Sequence, residues 1–243
     1  MDSARDAVIP ILVRKLSSLG ELRDEDLRGL ASLPFRLHNA RAGDTVIRDG
    51  ARIVECCLLV QGYACRHKLA SNGGRQIVSF HLPGDMLDIQ HLLFDRADHN
   101  VQMVTNARLA FFPMDALRTL VEDRPALGRA LWRDCLVDAS IFREWVLNVG
   151  RRDAKARIAH MLCEFVERHA AAGLGRPDQF RLPMTQEDIA DATGLTSVHV
   201  NRMLRQLRDE GVIEGAGRQI GILSWERMKQ IADFQPGYLH AVA

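Results

Sequence analysis

The residues whose types and spacing carry interpretable chemistry lie in the stretch 185–207, TQEDIADATGLTSVHVNRMLRQL. Within it Ser197, Val198, Asn201, Arg202 and Arg205 recur at intervals that place them on one side of an α-helix. Arginine offers a fork of donors that suits guanine edges and phosphates, asparagine pairs with adenine or bonds a phosphate, and short polar side chains bond to the nucleic-acid backbone. Lysine and glutamate would serve a merely solvated face better. The set therefore points to sequence reading in the major groove of double-stranded DNA, and Thr196 and His199 at the start of the same helix belong to it as backbone or flanking contacts.

Such a face needs a rigid support. Val200, Met203, Leu204 and Leu207 repeat at three and four residues and anchor the opposite side of the helix on a core. Thr196 caps its first turn, and Gly194 supplies the left-handed backbone of a tight turn before it. Upstream, Thr185 and Asp188 have the spacing of a reciprocal cap that opens a first helix, with Ile189 and Ala190 facing inward. A solvated helical hairpin with no nucleic-acid role would look the same up to this point. The segment 212–223 separates the two readings. It predicts two short strands around Gly215, Ala216 and Gly217, a hairpin placed where winged domains carry a wing, with Arg218 at its tip directed at a phosphate.

Other chemistries are poorly provided for. No nucleophile–base pair, metal-ligand spacing or phosphate loop stands out, so neither an enzyme nor a metal site is expected. The five cysteines, at 56, 57, 65, 135 and 163, form no CxxC pair, as expected of a reducing cytoplasm. Asp2 and Asp6 argue against a signal peptide, and no apolar run approaches the roughly 18 residues that a membrane span needs. The net charge is +1, and residues 150–243 hold 13 Lys and Arg against 12 Asp and Glu. Bulk charge does not attract nucleic acid here, so recognition must rest on local arrangement and nonspecific affinity should be modest.

With 243 residues and 47% hydrophobic content, the chain can bury two cores. Turn signals recur from Gly43 to Gly84, and strand-length stretches at 46–48, 56–60, 75–82, 101–105 and 109–112 predict a small antiparallel roll, preceded by short helices within 16–33. After Pro125 the periodicity becomes helical. Leu131, Cys135, Asp138, Phe142, Trp145 and Val149 follow a four-three spacing that predicts a coiled-coil seam between two copies of the chain. Trp132, Leu136 and Val146 form an adjacent apolar face, expected to pack on the chain's own roll. Asp138 is out of place in a seam and must be solvated, protonated or paired. Residues 150–152 interrupt the pattern, a new amphipathic helix begins near Ala154, and a last helix at 225–234 is followed by Tyr238 and Leu239, which should pack back on it.

The combination of GLTSVHVNRMLRQLRDEGVI, the turn Pro83-Gly84-Asp85 and the long helix between them resembles the Crp/Fnr superfamily of bacterial transcription regulators over nearly the full length. The resemblance implies an α+β chain: an N-terminal antiparallel β-roll sensor domain of the cyclic-nucleotide-binding type (1–123), a dimerisation helix and hinge (124–150), and a C-terminal winged helix-turn-helix domain (151–243). It also implies a homodimer on an inverted repeat whose half-sites lie about one helical turn apart, contact with RNA polymerase, and coupling of the two domains through the long helix.

In three places the chain departs from its relatives. Where cyclic-nucleotide binders hold a phosphate, it carries Asp85, Asp88, Asp95 and Asp98 with a single Arg96, so cyclic AMP should not bind tightly. The N-terminal cysteine cluster of iron–sulfur relatives is missing, since the first cysteine is Cys56. No cofactor is expected, and the effector is left open. The competing reading is a nucleotide-sensing or haem-sensing regulatory protein whose roll carries the main activity, with His67, His81, His91 and His99 as the histidines available. Finally, relatives often present a glutamate early on the recognition helix and an arginine four residues later. Arg202 matches the arginine, for a guanine, whereas Val198 occupies the glutamate position and suits a thymine methyl instead of cytosine.

Overall fold

The computed structural model describes residues 2–175, 180–215 and 219–240. They pack as two compact units, one holding residues up to Arg66 with His81–Ala139, the other His67–Phe80 with Ser140–His240. This division differs from the expected one: it falls inside the long helix, and one hairpin segment of the roll's sequence groups with the C-terminal residues.

The first unit opens with α1 (Asp2–Ser17) and α2 (Asp24–Ser32). Val8, Leu12 and Leu16 repeat every four residues and form a buried stripe on α1, which begins well before the helical segment expected from the sequence. The strands are β1 (Arg36–Ala40), β2 (Thr45–Ile47), β3 (Glu55–Gln61), β4 (Ala64–Leu69), β5 (Arg75–His81), β6 (Asn100–Met103) and β7 (Ala107–Pro113). They form a three-stranded sheet in the order β1-β7-β3 and a four-stranded sheet in the order β2-β6-β4-β5. The pairings of β7 with β1 and β3 and of β2 with β6 are antiparallel.

Strand β3 reads as an unbroken apolar run because both its faces are covered. Cys56, Leu58 and Val60 share a core with Leu12, Phe112 and Leu127, whereas Cys57 and Leu59 lie with Val101, Met103 and Leu109 inside the roll. At the turn into β4, Gly62 has φ of +92°, and a Cβ there would stand 2.4 Å from the Asn106 carbonyl oxygen. Only glycine fits that approach.

After β7 come α3 (Met114–Asp123) and the 27-residue α4 (Pro125–Arg151), whose opening proline costs no intrahelical hydrogen bond. Helix α5 (Ala154–Ala171) follows at once, its first turn capped by Asp153, which accepts from the Ala156 N–H at 3.0 Å. The break thus falls at Arg152–Asp153, just past Gly150. In the second unit α5 is buried along Ile158, Leu162, Phe165 and Val166. Around it stand β8 (Phe180–Arg181), α6 (Gln186–Thr193), α7 (Ser197–Asp209), β9 (Ile213–Glu214), β10 (Gln219–Ile222) and α8 (Trp225–Ala232). The last strands form an antiparallel sheet in the order β8-β10-β9, one strand more than the predicted wing.

A buried polar hub ties the end of the chain to α5. Glu164 accepts from Trp145 Nε1 at 3.1 and 3.0 Å and from the Tyr238 hydroxyl at 2.8 Å. Burial raises the Glu164 carboxyl above its usual range, and the neighbouring Arg168 opposes that shift. Leu239 is buried as well, which returns the C-terminal turn to the core. No helix among the described residues is long and apolar enough to cross a membrane.

Candidate nucleic-acid interface

Helix α6 starts as its sequence dictates. The Thr185 hydroxyl accepts from the Asp188 N–H at 3.1 Å, and Asp188 accepts in return from the Thr185 N–H at 2.9 Å. Asp188 has a second partner, Arg75, whose guanidinium reaches Asp188 at 2.8 Å and Asp191 at 2.6 Å. At the other end Gly194 takes the left-handed conformation, φ 66°, and Arg157 Nη1 donates to the Thr193 carbonyl at 3.2 Å. Helix α6 is therefore fixed at both ends by charged groups from other segments.

Helix α7 is capped by Thr196, whose hydroxyl accepts from the His199 N–H at 3.3 Å. Val200, Met203, Leu204 and Leu207 are buried, which roots the helix in the second unit. Thr196, Ser197, Val198, His199, Asn201, Arg202 and Arg205 are all exposed, Val198 at 80%. Val198 in solvent offers an apolar surface of the kind that contacts a thymine methyl. Gln186, which the spacing on α7 could not reveal, joins this face from α6: Asn201 Nδ2 donates to Gln186 Oε1 at 3.4 Å. Arg218 lies outside the described residues.

The face of α4 differs from the expected seam. Leu131 and Trp145 are only 3% and 6% exposed within the chain itself, Cys135, Asp138 and Val149 are half-buried, and Phe142 is exposed. Trp132, Leu136 and Val146, expected to pack inward, stand 55%, 64% and 55% exposed. The outward apolar stripe is thus displaced by about one residue from the predicted one. Two neighbouring stripes of equal periodicity cannot be assigned to inside and outside by spacing alone, and the chain's own core takes Leu131 and Trp145. Asp138 is paired with Arg66 Nη1, and Arg66 Nη2 donates to the Leu87 carbonyl at 3.1 Å.

In the roll, Asp88 is buried and accepts from the Cys57 N–H at 2.8 Å and the Cys56 thiol at 3.1 Å. Burial raises its carboxyl to about 6. His67, His81, His91 and His99 are all buried, and burial pushes His99 down to about 4. Cys56, Cys57, Cys65 and Cys163 are buried and Cys135 half-buried, all as free thiols. Burial raises the thiols of Cys135 and Cys163, to about 11 and about 12. Arg96 Nη1 donates to the Gly50 carbonyl at 2.8 Å.

Comparison with known proteins agrees with this geometry. A model of the Crp-like helix-turn-helix domain matches residues 156–231, and one of the cyclic nucleotide-binding domain matches residues 37–124. The transcriptional activator protein FnrL of Cereibacter sphaeroides is 30% identical over 201 residues, 80% of this chain and 79% of its own length. The nitrogen fixation regulation protein FixK of Rhizobium meliloti is 31% identical over 198 residues, 79% of this chain and 85% of its own. The structure of FixK2 from Bradyrhizobium japonicum superposes with a TM-score of 0.75 at 26% identity, covering 82% of this chain and 98% of that one. With a β-roll of the cyclic-nucleotide-binding type, a long helix and a winged helix-turn-helix, the chain belongs to the Crp/Fnr family of DNA-binding transcription regulators, not to a family of enzymes.

Proposed function

We propose that the chain acts as a homodimer on an inverted repeat, with residues 196–207 of each copy in a major groove and half-site centres about one helical turn apart. The observation that carries this reading is α7 itself, a helix whose one side is buried and whose other side presents Val198, Asn201, Arg202 and Arg205 to solvent. Arg202 reads a guanine, Val198 contacts a thymine methyl, Asn201 reads an adenine, and Thr196, Ser197, His199 and Arg205 hold the backbone. Arg218 joins them as a phosphate contact. Pairing of two copies is supported by the exposed stripe of Trp132, Leu136 and Val146 on α4, which leaves large apolar side chains without cover in a single chain.

Control by cyclic AMP or by an iron–sulfur cluster is not part of this proposal. The segment after Pro83 sets Asp85, Asp88, Asp95 and Asp98 against the single Arg96, whose guanidinium already donates to the Gly50 carbonyl at 2.8 Å, a balance that disfavours a cyclic phosphate. Burial raises the thiols of Cys56, Cys57, Cys135 and Cys163, which disfavours the thiolate form that ligates iron. The FnrL relative is by name a transcriptional activator, which supports RNA polymerase as a further partner. The proposal is tested by incubating the full chain with genomic fragments, separating the retarded species on a gel, and sequencing the DNA selected. Enrichment of one inverted-repeat motif is expected, and retention of all fragments alike would contradict it.

A further inference from the structure

Two side-chain amides, one from each helix of the hairpin, meet on the exposed face. Asn201 lies on α7 next to Arg202 and one turn beyond Ser197 and Val198. Gln186 is the first residue of α6, and its backbone is held by the Thr185–Asp188 cap and by Arg75 on Asp188. Asn201 Nδ2 donates to Gln186 Oε1 at 3.4 Å, and both residues are exposed, so neither amide is needed to satisfy the core. The donor and acceptor arithmetic is informative. A primary amide has two N–H donors and one carbonyl acceptor, and the bond uses one N–H of Asn201 and the carbonyl of Gln186. Asn201 keeps one N–H and its Oδ1, the pair that matches N7 and N6 of adenine, and Gln186 keeps both N–H groups, which suit a phosphate oxygen.

We infer that Gln186 is a positioning residue for base recognition, clamping the Asn201 amide in the orientation that reads adenine while its own amide rests on the DNA backbone. The terminal torsion of a free asparagine is broad, and a bond from a capped helix restricts it before DNA arrives. The inference rests on the proposal that α7 enters the major groove, and it assigns to α6 a share in selectivity.

The test uses the full chain and a binding site obtained by selection, with every base pair of one half-site varied in turn. The substitution Asn201→Ala identifies the base pair at which preference falls, by about fivefold or more. Gln186→Ala is expected to lower preference at that same base pair and at no other, and the double variant should lose no more preference there than Asn201→Ala alone. Gln186→Glu retains an acceptor for Asn201 but sets a charge against phosphate, so it should keep the preference and weaken binding to all sequences alike. The inference is overturned if Gln186→Ala weakens every sequence equally, if its effect adds fully to that of Asn201→Ala, or if Asn201→Ala leaves preference untouched. A wild-type chain that selects no sequence defeats the groove proposal and this inference together, whereas a selective chain indifferent to Gln186→Ala defeats this inference alone.

Discussion

Arg202 and Arg205 leave the same helix three residues apart, and base reading and phosphate contact predict different consequences for losing each. Arg202→Ala should cost about 1–3 kcal/mol at the cognate site and relax selectivity at one base pair. Arg205→Ala should weaken all sequences alike and lower the salt dependence by about one ion per chain; titrations at several salt concentrations check both. Single residues also set the acid limit of the fold. His160 is fully buried against Phe234 and Tyr238, and burial, aided by Arg152, lowers its pKa from 6.5 to about 3. Between those values the unfolded chain binds a proton that the folded chain does not, so this contribution is intact above pH 6.5 and is lost as pH falls toward 3. Urea titrations at pH 7.5 and 5 should show His160 accounting for about 2 kcal/mol of the loss, and His160→Gln should flatten the slope. The exposed face of α7 was legible because Ser197, Val198, Asn201, Arg202 and Arg205 share one helix. Gln186 and Arg75 were not, because each acts from a different segment and no local period links them to α7.

Helix α4 shows what periodicity resolves and what it does not. Its length and its two apolar stripes were readable, but the placement of Leu131 depended on a core built largely from residues 8–117, outside the helix. Core packing and the proposed association predict two separately measurable effects. Leu136→Asp, on the exposed stripe, should shift sedimentation toward a single chain with little change in its unfolding midpoint. Leu131→Ala, in the chain's own core, should cost about 2–5 kcal/mol of stability and leave association nearly unchanged when measured below the melting range. The pairing of Asp138 with Arg66 answers the puzzle of an acid on this helix, and 72 residues separate the partners, beyond any local pattern. Strands β1 and β4 went unread for a related reason. RLHNA and ACRHKL lack clean alternation, and β1 is placed by its register with β7, Arg36 opposite Phe111 through Ala40 opposite Ala107. The caps of α6 and α7 were readable residue by residue, since Thr185, Asp188, Gly194 and Thr196 act within four positions of the groups they satisfy.

For the molecule as a whole, a net charge of +1 removes long-range attraction as an explanation for binding DNA. Selectivity must then come from a few placed side chains, and, in the proposed dimer, occupancy from two copies of α7 instead of one. In the proposed dimer, DNA binding depends on protein concentration, so Leu136→Asp should weaken operator binding far more than binding to an isolated half-site. The measurement that bears most directly on the account is selection of the full chain on a random duplex library, with the stoichiometry of the selected complex determined by sedimentation. The account predicts an inverted repeat with half-site centres about one helical turn apart, bound by two chains. A selected pool without a shared motif, or a single half-site held by one chain with full affinity, would contradict it.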